Sequence, residues 1–560
     1  MKFLFVPLLC ALSTAAFGLD REAFSFTHYD LEARIEPAQQ RLGARGKITL
    51  RNDSDAPQKN AVLQISSSLN WLSIQLDGKP AQYLSQTYTS DIDHTGALSE
   101  AVITLPKAVD PNATITLEIG YEGTLPQDGT RLARIGAPDD VARHSDWDQI
   151  SRSFTAVRGI GYVAWYPVST EAASLSEGNS VLDAVVRWKQ RESDSEMRIR
   201  FSVLAENADT APGVICGVDK PVNLQGESNR ECFFRNLGFD IPFFTVGNFR
   251  VSDRPEVKLV FVPDHQAQAD DYLSAVEEAA EFTGKWLPGE KNATAEIIEL
   301  PDGKAAPFET GSVLLTPFSG NETANLLSAI SVLTHATLHS PRPWIRDGFS
   351  RFAQVAFIEG KEGHEAAVQY LRSHRQTLLD DEKSVPANDQ AAHSLINSGD
   401  DFYVQTKSMN VWWMLRGLVG ETALQAAFHN YKPDDDKSAQ YMQKLIEARA
   451  HKDLEWFFDD WVYRDHGLPE LRIASVYPRE IVNGGYMVTV TVENRGSAGA
   501  EVPVTILVAN GERAERLVVP AKSTASVRIV CPSFPQQATV NDGSVPESDE
   551  KDNVYKIEAK

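Results

Sequence analysis

The hydrophobic period of this chain changes twice, and that pattern limits its architecture more than any single residue does. Up to about residue 255, apolar side chains alternate with polar ones, as in Lys47-Ile48-Thr49-Leu50, Ala61 to Ile65, Thr114 to Ile119 and Met197 to Phe201. Alternation of period two puts one face of a strand on a core and the other in water, so this stretch predicts an antiparallel β domain. After two more strands, at 257–262 and 295–300, apolar residues recur at helical spacing over 267–286, 321–339, 344–358, 364–379, 402–418, 422–428 and 438–448. Alternation returns from about 472, at 486–492, 502–508 and 526–530, with Asn494-Arg495-Gly496 and Asn510-Gly511 as turns. At 560 residues the chain exceeds one core and divides into three or four domains of ~150 residues each. The expected fold class is multidomain α+β. A β domain spans 19–255, a mostly helical domain 256–471, and a small immunoglobulin-like β-sandwich 472–560.

Residues 1–18 read as a secretory signal. Lys2 precedes an apolar run from Phe3 to Leu12, and Ala16 and Gly18 occupy the −3 and −1 positions of a cleavage site. Cys10 leaves lipoprotein processing as an alternative. No later run approaches the ~20 apolar residues of a spanning helix. The mature chain is therefore expected outside the cytoplasm, periplasmic or extracellular, with no integral membrane segment. Cleavage leaves Cys216, Cys232 and Cys531; the first two are near enough in sequence to pair in an oxidising compartment, with three buried thiols as the alternative. A net charge of −23 and the lack of a dense Lys/Arg cluster set nucleic acid aside as a partner. The acidic run from Asp542 to Asp552 lacks the spacing of a calcium loop and reads as a solvated loop.

The chemistry concentrates at His335-Ala336-Thr337-Leu338-His339, followed by Ser340-Pro341-Arg342-Pro343 and then Trp344-Ile345-Arg346-Asp347-Gly348-Phe349. Histidines at i and i+4 share one helical face and can hold one zinc ion, as in the H-E-x-x-H signature of metallopeptidases. Among 12 histidines about a quarter of one such pair arises by chance, so the context must carry the reading. The prolines predict a helical hairpin that returns Asp347 toward the two histidines, giving an N,N,O set of His335, His339 and Asp347 for one zinc ion with a fourth position open. Glu359 is a rival third ligand without a supporting motif. The Glu that would act as general base is Ala336, and loss of such a base costs ~10²- to 10⁴-fold in rate.

These residues resemble the zinc aminopeptidases of the aminopeptidase N type, a gluzincin family in which H-E-x-x-H is followed by W-L-N-E-G-F. Pro307-Phe308-Glu309-Thr310-Gly311 is similar to that family's G-A-M-E-N segment. The resemblance implies that Glu309 binds a substrate's free amine. Tyr403, with Lys407 and Trp412-Trp413-Met414-Leu415 behind it, is similar to the helix whose tyrosine stabilises the tetrahedral intermediate. Trp456 to Trp461 with Gly467-Leu468-Pro469 resembles the segment closing the catalytic domain. The likeness covers about 25–470 and implies a zinc-dependent peptidase fold acting on, or binding, peptide or protein N-termini. Several positions depart from the pattern: Ala336 for the base, Asp347 for Glu, a shorter stretch between His339 and Asp347, Tyr403 four rather than two residues before Lys407, and no Asn beside Glu309. The large C-terminal helical domain of the longer family members is not expected here. The expectation is thus an exported homologue with weak or lost hydrolysis. The alternative is a metal-free pseudoenzyme that binds peptides or proteins. A pure β-sandwich interaction protein explains only 472–560. No G-x-S-x-G elbow, P-loop or dinucleotide fingerprint offers another enzyme class.

Overall fold

The computed structural model describes residues 19–178, 180–204, 213–216, 229–287, 294–318, 321–384, 394–398, 401–464, 466–482 and 484–558. The segment read from the sequence as a secretory signal, residues 1–18, lies outside the described residues. The described residues separate into two compact units, one within residues 19–247 and one within residues 248–558.

The first unit is built on a seven-stranded sheet with Phe24–Glu36 near its centre, flanked by Arg41–Asn52 and Glu196–Val203. The four alternating segments named above all fall within strands. The sheet is not purely antiparallel, however: Phe24–Glu36 and Glu196–Val203 run parallel, with Leu31 opposite Ile199. A parallel neighbour needs a long crossover, and the chain between them contains a helix the alternation pattern did not foresee, Ser180–Arg191. Its Val-rich sequence reads equally as strand, but Val181, Ala184 and Trp188 bury one helical stripe. Cys216 and Cys232 form a disulfide with Cα atoms 6.0 Å apart, the pairing their proximity suggested. Cys531, in the other unit, is buried and free.

The second unit opens with a five-stranded mixed sheet, ordered Arg250–Asp253, Val257–Phe261, Ala295–Glu299, Val313–Thr316, Phe308–Thr310. Its middle three strands are parallel and the last turns back antiparallel through Gly311, whose φ of 54° suits glycine. Helices Gln266–Trp286 and Glu322–Thr337 cover it, and Val257, Leu259, Ile297, Tyr272, Ile330 and Leu333 share one core. Helices Pro343–Glu362 and Asp401–Val419 lie against each other, with Trp344 and Trp412 stacked at 4.9 Å between ring centroids. A Cβ at Gly348 would overlap the side chain of Ser408, so glycine is what lets these two helices approach.

The remaining described strands of the second unit form two sheets, Leu471–Glu480 with Tyr486–Asn494 and Ser523–Cys531, and Gly511–Val519 with Ala500–Val508, Pro535–Val540 and Val554–Lys556. Val490 and Ile529 from one and Val504 and Val540 from the other enter a single core that continues into Trp344, Phe458 and Trp461 of the helical region. The indole of Trp461 donates to the Gly499 carbonyl at 2.9 Å. The acidic run is less solvated than its composition suggests. Glu547 is fully buried, accepting from Leu471 N, Asn541 Nδ2 and Asn553 Nδ2, and burial pushes its carboxyl up to about 7. Among the described residues no helix is long and apolar enough to cross a membrane.

Candidate functional site

The His335 helix, Glu322–Thr337, starts at Asn321, whose side chain accepts from Ala324 N at 3.3 Å. The sequence pattern extends this helix to residue 339; the structure ends it at Thr337, with Leu338 extended at ψ 91°. Pro341 supplies the reason. It has no N–H to continue the ladder and disfavours helical geometry at Ser340. His339 therefore lies beyond the helix end and is exposed, while His335 occupies the last turn. The two rings do not share a helical face.

What the structure gathers instead is His335 between two carboxylates. Its Nδ1 is 2.5 Å from Glu309 Oε1, and its Nε2 is 3.2 Å from Asp347 Oδ1, the latter an electrostatic contact rather than an aligned hydrogen bond. Side-chain exposures of 15% for His335, 24% for Glu309 and 12% for Asp347 keep this row only partly in water. Glu309 comes from the antiparallel edge strand of the five-stranded sheet, and its other oxygen accepts from Ser331 Oγ at 2.9 Å. Ser331 stands one turn before His335 and also meets Ser350 Oγ at 2.9 Å, linking this helix to the next. Asp347 sits in the second turn of helix Pro343–Glu362, clasped by Arg346 through Nε at 2.7 Å and Nη2 at 2.9 Å.

The electrostatics follow from this row of alternating charge. Burial opposes a charge on His335, but Glu309 and Asp347 outweigh it and raise the imidazole to about 9. Burial likewise opposes ionisation of Asp347, yet Arg346 and His335 hold its carboxyl well below the usual range. Near neutral pH this favours the protonated His335 ring beside an ionised Asp347. A cationic ring in the last helical turn also suits the negative end of the helix dipole.

As placed, His335, His339 and Asp347 do not bring three donors within mutual coordination reach. His339 stands off the helix. Among the described residues, the only set of three histidine, cysteine or carboxylate donors within mutual coordination reach is Asp459, Asp460 and His466, elsewhere in the unit. Glu359 is committed to His364 Nδ1 at 2.8 Å and Arg416 Nη2 at 2.5 Å. Ala336, 3% exposed, packs in the core beneath the sheet-covering helices. Tyr403 is 5% exposed and accepts from Lys407 Nζ at 2.7 Å, a contact that their i, i+4 spacing on one helix provides. Sequence reasoning passed over Ser331, Ser350 and Arg346. The first has a legible signal, since it lies four residues before His335; the others needed the fold.

No protein-family model matches the chain, and no curated protein matches it by sequence. Solved structures do. Aminopeptidase A of Legionella pneumophila, solved in complex with aspartic acid, superposes with a TM-score of 0.57 at 13% identity over 94% of this chain. The chain has a peptidase-like fold. It spans 59% of the length of the Legionella enzyme. An M1 zinc metallopeptidase from Deinococcus radiodurans matches 79% of this chain and 93% of its own, at 14% identity and a TM-score of 0.44.

Proposed function

We propose that this chain is an exported, peptidase-fold protein that binds peptide or protein N-termini without metal-assisted hydrolysis. The observation that carries the reading is that the His335 ring lies between the carboxylates of Glu309 and Asp347, which favour its protonated form over the neutral one a metal needs. Ala336 supports it, since a methyl group cannot take a proton from water. Glu309 supports the ligand class. A carboxylate has about four lone-pair sites; His335 and Ser331 occupy two, and the side chain remains 24% exposed. An incoming ammonium would find acceptor capacity there, with His335⁺ and Asp347⁻ behind it to fix the local field. The apolar run of residues 3–12 supports export.

A second reading, a weak zinc aminopeptidase, is favoured by the likeness to the Legionella structure. One experiment separates the two. Aminoacyl fluorogenic substrates are assayed with and without zinc, beside binding of free and N-acetylated versions of the same peptides. The proposal expects binding that acetylation and Glu309→Gln both weaken, with no hydrolysis above background. Turnover that chelation abolishes and zinc restores would refute it in favour of the peptidase.

A further inference from the structure

Asp459, Asp460 and His466 each place one donor atom within 4.8 Å of the others, in the segment that resembles the close of the catalytic domain, to which the resemblance assigns no ligand role. They follow the short helix Glu455–Phe458, where Asp459–Tyr463 opens into a π-turn. Such turns recur at functional positions. Asp460 is oriented from outside the trio, because its Oδ2 accepts from Gly499 N at 2.8 Å. Gly499 also receives the Trp461 indole, so the loop before strand Ala500–Val508 clamps this turn from two sides.

The spacing of the donors is the telling quantity. Asp459 Oδ2 and His466 Nε2 are 3.8 Å apart, too far for a hydrogen bond. Two donors at about 2.1 Å from one tetrahedral ion sit ~3.4 Å apart, so this pair needs a shift of only about 0.4 Å to share a metal. Arg464 Nε reaches Asp459 Oδ1 at 3.2 Å, on the oxygen that does not face His466. One imidazole and two carboxylates are a borderline set that suits zinc, cobalt(II) or nickel(II) better than calcium. Exposures of 25% for His466 and 41% for Asp459 leave an entry path from solvent.

We infer that Asp459, Asp460 and His466 form a binding site for a single transition-metal dication, which ties the end of the helical region to the loop at Gly499. The site is independent of the His335 row. It also alters how metal content should be interpreted, since zinc in the purified protein would report this position and not the His335 row.

The test uses the full-length chain stripped with EDTA and titrated with cobalt(II), followed by its visible d–d absorption, then with zinc in competition. The expected result is one ion per chain, with affinity falling at least ~100-fold in His466→Ala, since even indirect supports of a ligand are worth 10–100-fold. Asp459→Asn, which keeps the side chain's size at a partly exposed position, should show the same loss, while His335→Ala should leave binding unchanged. Absence of saturable binding, retention of affinity in both His466→Ala and Asp459→Asn, or its loss in His335→Ala would each overturn the inference.

Discussion

His335→Ala should destabilise the second unit by an amount that depends on pH, and the dependence isolates the charge from the packing. Raising the imidazole's pKa from 6.5 to about 9 corresponds to about 3 kcal/mol of preference for the protonated ring in the folded state. The folded value is the higher one. That contribution is therefore fully present below pH 6.5 and lost as pH rises through 9. Deleting the ring also leaves a cavity and two facing carboxylates, but those costs apply at both ends of the range. Urea unfolding followed by tryptophan emission, with EDTA present, should give a penalty about 3 kcal/mol larger near pH 6 than near pH 10. Water reaching the 15%-exposed ring makes that figure an upper bound. Equal penalties at the two pH values would refute the argument, because they would mean that Glu309 and Asp347 do not hold a cation.

Ala336→Glu, the substitution that would restore a general base, should yield no aminopeptidase turnover and should destabilise by about 3 kcal/mol, because it forces a carboxylate into a core site 3% exposed; fluorogenic substrates and thermal unfolding check both. Glu192, which accepts from Phe26 N and Ser195 Oγ, and Glu547 are each pushed by burial up to about 7. Their folded values exceed the ordinary 4.5, so each contributes stability below pH 4.5 that is lost as pH rises through 7, and Glu192→Gln should match or exceed the wild type in a melt near pH 8. Replacing Cys216 and Cys232 by Ser opens a crosslink of sequence separation 16 and should cost about 3 kcal/mol in the first unit, read as an earlier transition in non-reducing denaturation.

Much of the architecture was legible because periodicity reports burial. The pattern at 267–286 became helix Gln266–Trp286, that at 402–418 became Asp401–Val419, and the strands at 486–492 and 502–508 lie within Tyr486–Asn494 and Ala500–Val508. Periodicity fails where partners are remote or segments short. Phe308–Thr310 is a three-residue strand that only its neighbour Val313–Thr316 specifies. The site was legible in part. The pattern around Trp344, Gly348 and Phe349 marked a real feature, although much of it is packing: Trp344 stacks on Trp412, Gly348 admits Ser408, and Phe349 lies 4.0 Å, centroid to centroid, from Phe428. The return of Asp347 to His335 through the proline turn also followed from sequence. The fate of His339 did not, because the reading set helical periodicity above the bias that Pro341 exerts on the residue before it. Nor did the pairing of Glu309 with His335, which joins a sheet edge to a helix end across 26 residues.

The central claim is that the His335 ring is a cation held by carboxylates and not a metal ligand. Long-range ¹H–¹⁵N spectra of histidine-labelled protein, with the His335 signals assigned by their loss in His335→Ala, test it directly. Near neutral pH both ring nitrogens should carry protons, and an equivalent of zinc should leave them unmoved. A His335 nitrogen that is unprotonated, or that shifts when zinc is added, would contradict the account.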